Sequence, residues 1–425
     1  MTVRVAVMTA GSRGDVAPYT GLAHGLAQAG HHVTLVTHAS FAPLAAATGA
    51  AFHPLPVDPR AVLESGRGQA LHRSATGAGK LARVIALARG LVGQMTDGLL
   101  EAARDSDVLL LSSSLAPVGH TIAEGLHVPS MGVYLQPLAP TGEFAPPVTG
   151  TRSWGRAGNL LAGHAVNSGV ERVFAGAART AVQNRLGLPR GGPGAARRRR
   201  ERQQWPVQHG FSPLVVPRPG DWRPGLDVAG YWWPHDPPGG QLPSGLQDFL
   251  DAGPAPVFVG LGSATVPDPE RLSGLLVRAL RSAGLRGVFQ RGWGGLHAEG
   301  PDMLTVDEVP HALLFPHMAA VVHHAGAGTT AAGLRAGVPA VPLPVQFDEA
   351  FWAARLRALG VSPGAVPLRR LTAPALAEAL REATSRAAYR RCAAELAGRL
   401  REEDGTAPVL AAVERLARGG GPLLC

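Results

Sequence analysis

The residues best placed to do chemistry lie in one run, His323-His324-Ala325-Gly326-Ala327-Gly328-Thr329-Thr330. It follows the apolar stretch Ala319 to Val322 and precedes a helical pattern that ends near Gly337. A strand that enters a glycine-rich turn and then a helix makes an anion site. The glycines let backbone N–H groups approach closely, and the helix brings about half a positive charge to its first turn. Phosphate is the expected ligand. Thr329 and Thr330 can add hydroxyl donors, and His324 can donate from a ring nitrogen. An ordinary helix start beside a packed histidine has the same letters, because a glycine turn alone is a weak signal.

Three other patterns are set aside on spacing. Gly11-Ser12-Arg13-Gly14 does not complete G-x-G-x-x-G, so a nicotinamide site lacks its fingerprint. Asp105-Ser106-Asp107 has a metal-binding form but sits at a helix end before a strand, where a solvated turn is expected. His323 and His324 are adjacent, not four apart on a helix, so they do not form a zinc pair. No metal site is expected.

The elements that must position the turn are α/β. Val3 to Met8, a glycine loop, a helical pattern from about Pro18 to Ala29 and the run Val33 to Thr37 read as strand, helix, strand. Short, continuously apolar strands joined by helices form a doubly wound parallel sheet. Val108 to Leu111 and Ser130 to Tyr134 extend that sheet. The proline-rich stretch from Phe211 to Pro238 holds too many breakers for a core element and reads as a linker. Beyond it the pattern restarts with strands at Val257 to Leu261, Gly287 to Gln290, Met303 to Val306, Ala319 to His323 and Ala340 to Leu343, then terminal helices. The expected domains are 1–210, a linker at 211–238, 239–400, and a C-terminal helical piece at 401–425 that packs back on the first domain.

Composition narrows the class. With 45% hydrophobic and 17% charged residues the chain is globular, and no apolar run reaches the roughly 18 residues of a membrane helix. Met1 leads directly into the first strand without a basic leader, and only Cys392 and Cys425 are cysteines, so a cytoplasmic, reducing setting is expected. The net charge of +9 could attract nucleic acid, but Lys80 is the only lysine and 55 Gly and 37 Pro accompany the arginines, which reads as coding bias. Arg197 to Arg200 with Arg202 reads as a solvated loop or helix end.

Several motifs in order resemble the family 1, GT-B-fold glycosyltransferases, and within them the bacterial branch similar to sterol and natural-product glucosyltransferases. Those motifs are Gly11-Ser12-Arg13-Gly14-Asp15, Trp205-Pro206 through Pro217-Arg218-Pro219, Val259-Gly260-Leu261-Gly262-Ser263, Gly292-Trp293-Gly294-Gly295, Val309-Pro310-His311, the turn at His324, and Phe347-Asp348-Glu349-Ala350-Phe351-Trp352. The resemblance implies two Rossmann-like domains facing across a cleft, and an inverting transfer of sugar from a nucleoside diphosphate (UDP or dTDP) to a small-molecule hydroxyl, without metal or other cofactor.

Carried over by position, it places the diphosphate on Ser263, His324, Gly326, Gly328 and Thr329, with Ser12, Arg13 and Gly14 also beside the donor. The nucleobase lies against the loop from Val306 to His311, through Val309. Asp348 and Glu349 fall where an acidic residue and a glutamine meet the sugar hydroxyls, and Ala332 stands where many members carry a ribose-binding Glu. Asp15 takes the place of the histidine that plant-type members use as general base. It could equally cap the following helix or pair with Arg13. A nucleotide-sugar epimerase or hydrolase on the same fold and a non-catalytic relative are the rivals, although Asp15, His324 and Thr329 all remain. The acceptor walls are expected at Leu63 to Leu99 and Leu138 to Val173, with Phe144, Trp154 and, just beyond, Phe174. These motifs do not encode the acceptor's identity or the oligomeric state.

Overall fold

Each half of the chain builds one parallel sheet. In the computed structural model, residues 1–64, 77–178, 182, 184–187, 194–236 and 239–419 are described; Cys425, the breaker at 191–193, and Pro237 and Pro238 lie outside them. Strands β1 (Arg4–Met8), β2 (His32–His38), β3 (Ala51–Leu55), β4 (Val108–Leu111), β5 (Ser130–Tyr134), β6 (Val207–His209) and β7 (Leu226–Val228) run in the order 3-2-1-4-5-6-7. Strands β8 (Val257–Gly260), β9 (Gly287–Gln290), β10 (Met303–Val306), β11 (Ala320–His323) and β12 (Ala340–Pro342) run in the order 10-9-8-11-12. In both sheets the order reverses beside the first strand of the half, where β1 meets β4 and β8 meets β11. A crevice opens at the carboxyl ends of such a pair.

Helices on both faces bury the strands. Val5, Val7, Leu22, Leu26, Val108 and Leu110 share one cluster in the first half, and Val257, Val259, Leu276, Leu280, Val322 and Leu376 share one in the second. Helix α1 (Arg13–Gln28) starts five residues earlier than its apolar pattern implies, and Pro18 lies inside it. A proline there removes the N–H that would bond to the Gly14 carbonyl, and the turn holds because Ser12 and Asp15 fix its start. Helices α2 (Gly77–Arg104), α3 (Ala327–Ala336), α4 (Glu349–Ala358) and α5 (Ala407–Ala417) matter below. Through Val409, Ala412 and Val413, α5 joins the core of the first half, and Trp232 Nε1 donates to the Gly405 carbonyl at 2.9 Å.

The stretch from Phe211 to Pro238 is more than a linker. Its residues Leu226–Val228 form β7 at the sheet edge, where a strand needs only one bonded neighbour and nearby prolines are tolerated. Phe211, Val215, Val216 and Trp222 are buried against Phe351, Trp352 and Leu356 of α4, so this chain segment is core between the halves. Among the described residues no helix is long and apolar enough to cross a membrane.

Candidate active site

A cleft of about 1440 Å³ lies between the halves, and both glycine junctions open into it. On its C-terminal wall β11 ends at His323, the chain turns through His324 and Ala325, and Gly326 caps α3. No side chain accepts from the helix's first turn, so those amides face the cleft unpaired, as a helix N-terminus leaves them. The His324 ring fills the gap between two glycines. A Cβ at Gly326 would lie 2.3 Å from His324 Nε2, and one at Gly262 would lie 2.9 Å from Cε1. Only glycine fits either place. Gly262 also has φ +56°, and its carbonyl accepts from the Trp293 N–H at 3.0 Å, which ties the turn after β8 to that after β9.

Burial holds the His324 pKa down to about 4, so the ring is neutral near pH 7 and offers one N–H. Ser263, Gly328 and Thr329 line the same wall. Thr330 does not; it is 1% exposed, and its hydroxyl is buried without a partner. Val309 is buried at the base of the wall beside Pro310, and His311 stacks on Phe315 with ring centroids 4.3 Å apart.

Asp348 and Glu349 open α4 on the same side. Asp348 Oδ2 accepts from Trp352 Nε1 at 2.7 Å, so a fully buried indole fixes that carboxylate. Glu349 is turned into its own loop: Oε2 accepts from the N–H groups of Val345 and Gln346. One oxygen thus caps its own loop, while the residue still lines the cleft. The structure also separates it from Arg355, which donates to the Val215 carbonyl at 2.7 Å. Burial raises Glu349's pKa to about 7, against the opposing effect of the two amide bonds.

The opposite wall carries Asp15. Its Oδ2 accepts from the Ser12 N–H at 2.8 Å and the Ser12 hydroxyl at 3.0 Å. The carboxylate therefore caps α1 and still lines the cleft. Burial raises its pKa, the Ser12 bonds oppose that, and the negative charge of Asp348 adds to it. Arg13 pairs with Glu308 of the second half at 2.9 Å, not with Asp15, and bridges the two walls. Gly14 is exposed beside them.

Sequence reasoning found only one wall of the chamber next to Asp15, the part of Leu63 to Leu99 that holds Val92 and Met95. Val57, Val92, Met95, Leu115 and Leu135 line it, with His38, Ser114 and Gln136 as polar groups. His38 Nε2 accepts from the Gly11 N–H at 3.0 Å and so holds the loop that carries Asp15. The available signal was position: His38 ends β2, while Ser114 and Gln136 follow β4 and β5, at the carboxyl ends where such sheets bind ligands.

Other expectations change place. Leu91, Val92 and Met95 of α2 do line the cleft, but 138–173 does not. Phe144 packs on Phe351 at 5.3 Å, Trp154 faces solvent, and the side chains of 63–90 and of Phe174 lie outside the description. Asp107 pairs with Arg4 at 2.7 Å at the amino end of β4, away from the cleft. The arginine run is the helix Ala195–Arg202, in which Arg199 grips Glu124 at 2.6 Å and Arg200 is buried with Glu171. Of the two readings, solvated loop or helix end, the second holds: Arg199, Arg200 and Arg202 lie in the last turn of this short helix, and the run also ties helices together.

Two doubly wound sheets, a cleft between their switch points and a glycine-rich turn on one wall have the form of a GT-B glycosyltransferase. Residues 5–138 match the glycosyltransferase family 28 N-terminal domain, and residues 294–415 match the Erythromycin biosynthesis protein CIII-like, C-terminal domain. Two sterol 3-beta-glucosyltransferases of Arabidopsis thaliana are each 31% identical over 95% and 97% of this chain. The chain spans 64% and 68% of their lengths, about two thirds. Among solved structures, the glycotransferase of kitacinnamycin aligns with TM-score 0.68 and 20% identity over 98% of this chain and 99% of its own. The glycosyltransferase VinC in complex with dTDP aligns with TM-score 0.64 and 20% identity over 98% and 100%. The chain belongs to the family 1, GT-B-fold glycosyltransferases.

Proposed function

We propose that the chain transfers a sugar, with inversion, from a nucleoside diphosphate to a hydroxyl of an apolar small molecule, and needs no metal. One observation carries the reading: the Asp15 carboxylate and the first turn of α3, from which no side chain accepts, line opposite walls of one cleft. Asp15 takes the proton from the acceptor hydroxyl as its oxygen forms a bond to the anomeric carbon. The bond from that carbon to the β-phosphate oxygen breaks, and its electron pair leaves with the diphosphate. The amides of Ala327, Gly328 and Thr329, the Thr329 hydroxyl and the neutral His324 N–H stabilise that charge without a cation. Ser263 and Val309 complete the nucleotide wall, and Asp348, oriented by Trp352, meets the sugar hydroxyls.

The apolar chamber beside Asp15 favours a hydrophobic acceptor such as a sterol or polyketide alcohol, in keeping with the sterol 3-beta-glucosyltransferases among the relatives. VinC's dTDP supports UDP or dTDP as the carrier. With only two cysteines, the reaction fits the cytoplasm. The test is a panel of UDP- and dTDP-sugars against sterol, polyketide, phenolic and aminocyclitol acceptors, with product read by mass spectrometry in EDTA. Glycoside formation that requires an acceptor is expected. Free sugar or an epimer as the sole product would overturn the reading, and strict dependence on added Mg²⁺ would overturn its metal-free part.

A further inference from the structure

We propose that His323 is a positioning residue for donor binding: it holds Ala325 in the left-handed conformation that turns His324 and the first amides of α3 toward the diphosphate. The inference rests on the donor reading above and extends it to a side chain that does not line the cleft. His323 is 1% exposed at the end of β11, and its Nδ1 accepts from the Ala325 N–H at 3.1 Å. Its Nε2 is buried with no partner. One hydrogen bond is thus all the polar ring obtains in a core where an aliphatic side chain would pack without an orphaned donor.

That bond lands on a strained residue. Ala325 has φ +67°, a region that glycine enters freely and alanine does not, and its own side chain is fully buried. Fixing the Ala325 N–H fixes the peptide plane from which φ is measured, and the next peptide delivers Gly326 as the cap of α3. The two histidine rings stand at 88° to each other with centroids 6.5 Å apart, so His323 shapes the turn while His324 occupies it.

The experiment compares wild type, His323→Leu, His323→Asn, Ala325→Gly and the His323→Leu/Ala325→Gly double variant. UDP and dTDP affinity is measured by calorimetry, and KM is measured for donor and acceptor separately. His323→Leu should weaken nucleotide binding about tenfold and raise donor KM in step, leaving acceptor KM unchanged. His323→Asn should recover most of the affinity, because an Asn oxygen accepts from the N–H two residues on. Ala325→Gly should matter little alone yet restore binding in the double variant, because glycine needs no tether to stay left-handed.

Wild-type affinity in folded His323→Leu, a double variant no better than His323→Leu, or an equal rise in acceptor KM would each overturn the proposal. If His323→Leu does not fold, His323→Asn is compared with His323→Gln, whose longer side chain overshoots the N–H; equal affinity in those two counts against it. Failure of wild type itself to bind either nucleotide removes the donor reading and this inference together, a result distinct from binding that no variant alters.

Discussion

The two strand–turn–helix junctions share a plan and differ at the cap and at the third helical residue. At β1–α1 the cap is Ser12 and the third helical residue is Asp15; at β11–α3 the cap is Gly326 and the third helical residue is Thr329. Both junctions lean on a buried histidine that accepts a loop N–H, His38 from Gly11 and His323 from Ala325. In the first, Asp15 brings its own carboxylate to the helix end and accepts from Ser12. In the second, no side chain does so. A helix N-terminus favours one anion. At the first junction the chain supplies that anion itself, and the proposed base is that carboxylate; at the second it supplies none, which leaves the first turn open for the proposed diphosphate.

The largest effect should come from neutralising the first junction. Asp15→Asn keeps an oxygen for the Ser12 N–H but cannot take a proton, so turnover should fall about 10²-fold or more while nucleotide affinity holds. Steady-state rates and calorimetry on the same preparations check it, and near-normal turnover would remove Asp15 as the base. The converse change makes the second junction like the first. Thr329→Asp puts a carboxylate on the open amides and should cut nucleotide affinity by about 10²-fold, through loss of a charge-assisted bond and added repulsion. Unchanged binding would mean the diphosphate sits elsewhere. Thr329→Val and His324→Ala remove one donor each and should cost about tenfold in nucleotide affinity, the equivalent of about 1.4 kcal/mol.

Two smaller effects concern pH. Burial raises Asp15's pKa and the charge of Asp348 adds to it, and the base works only when ionised. Activity should therefore fall as pH drops through that raised pKa. Asp348→Asn removes the neighbouring charge and keeps an acceptor for Trp352, so the acid limb of kcat/KM should move to lower pH; an unmoved limb would uncouple the two walls. Glu349 is the control that lies outside this pairing. Its carboxyl binds a proton more tightly folded, at about 7 against an ordinary 4.5, so its contribution to stability is full below 4.5 and is lost as pH rises toward 7. Glu349→Gln, which still accepts from Val345 and Gln346, should flatten that part of the Tm–pH curve and leave donor ranking unchanged. A reordered donor panel would restore Glu349 to the sugar.

The strands flanking each switch point were legible because each is a short, almost wholly apolar run. β3, β6 and β7 were not. β3 contains Pro54 and lies at an edge, β6 has three residues, and β7 sits among prolines. Edge and short strands take their stability from the neighbour they pair with, which no local pattern records. Among site residues, the turn from His324 to Thr329 and the position of Asp15 were legible from type and order. Of the acceptor chamber, Met95 falls within the expected wall from Leu63 to Leu99, but Val57, Leu115 and Leu135 come from other stretches and look like any core residues.

The sequence by itself determined the two α/β halves, the glycine turn between strand and helix and, through ordered motifs, the family, because periodicity and turn chemistry act over a few neighbouring residues. Only the tertiary structure decided where each polar group is spent. It sent Arg13 to Glu308 across the cleft, Asp107 to Arg4 and Glu349 to its own loop, and it made core of the proline-rich segment. A side chain's partner depends on which distant elements pack beside it, and a charged or hydrogen-bonding group removed from water takes the partner that packing provides.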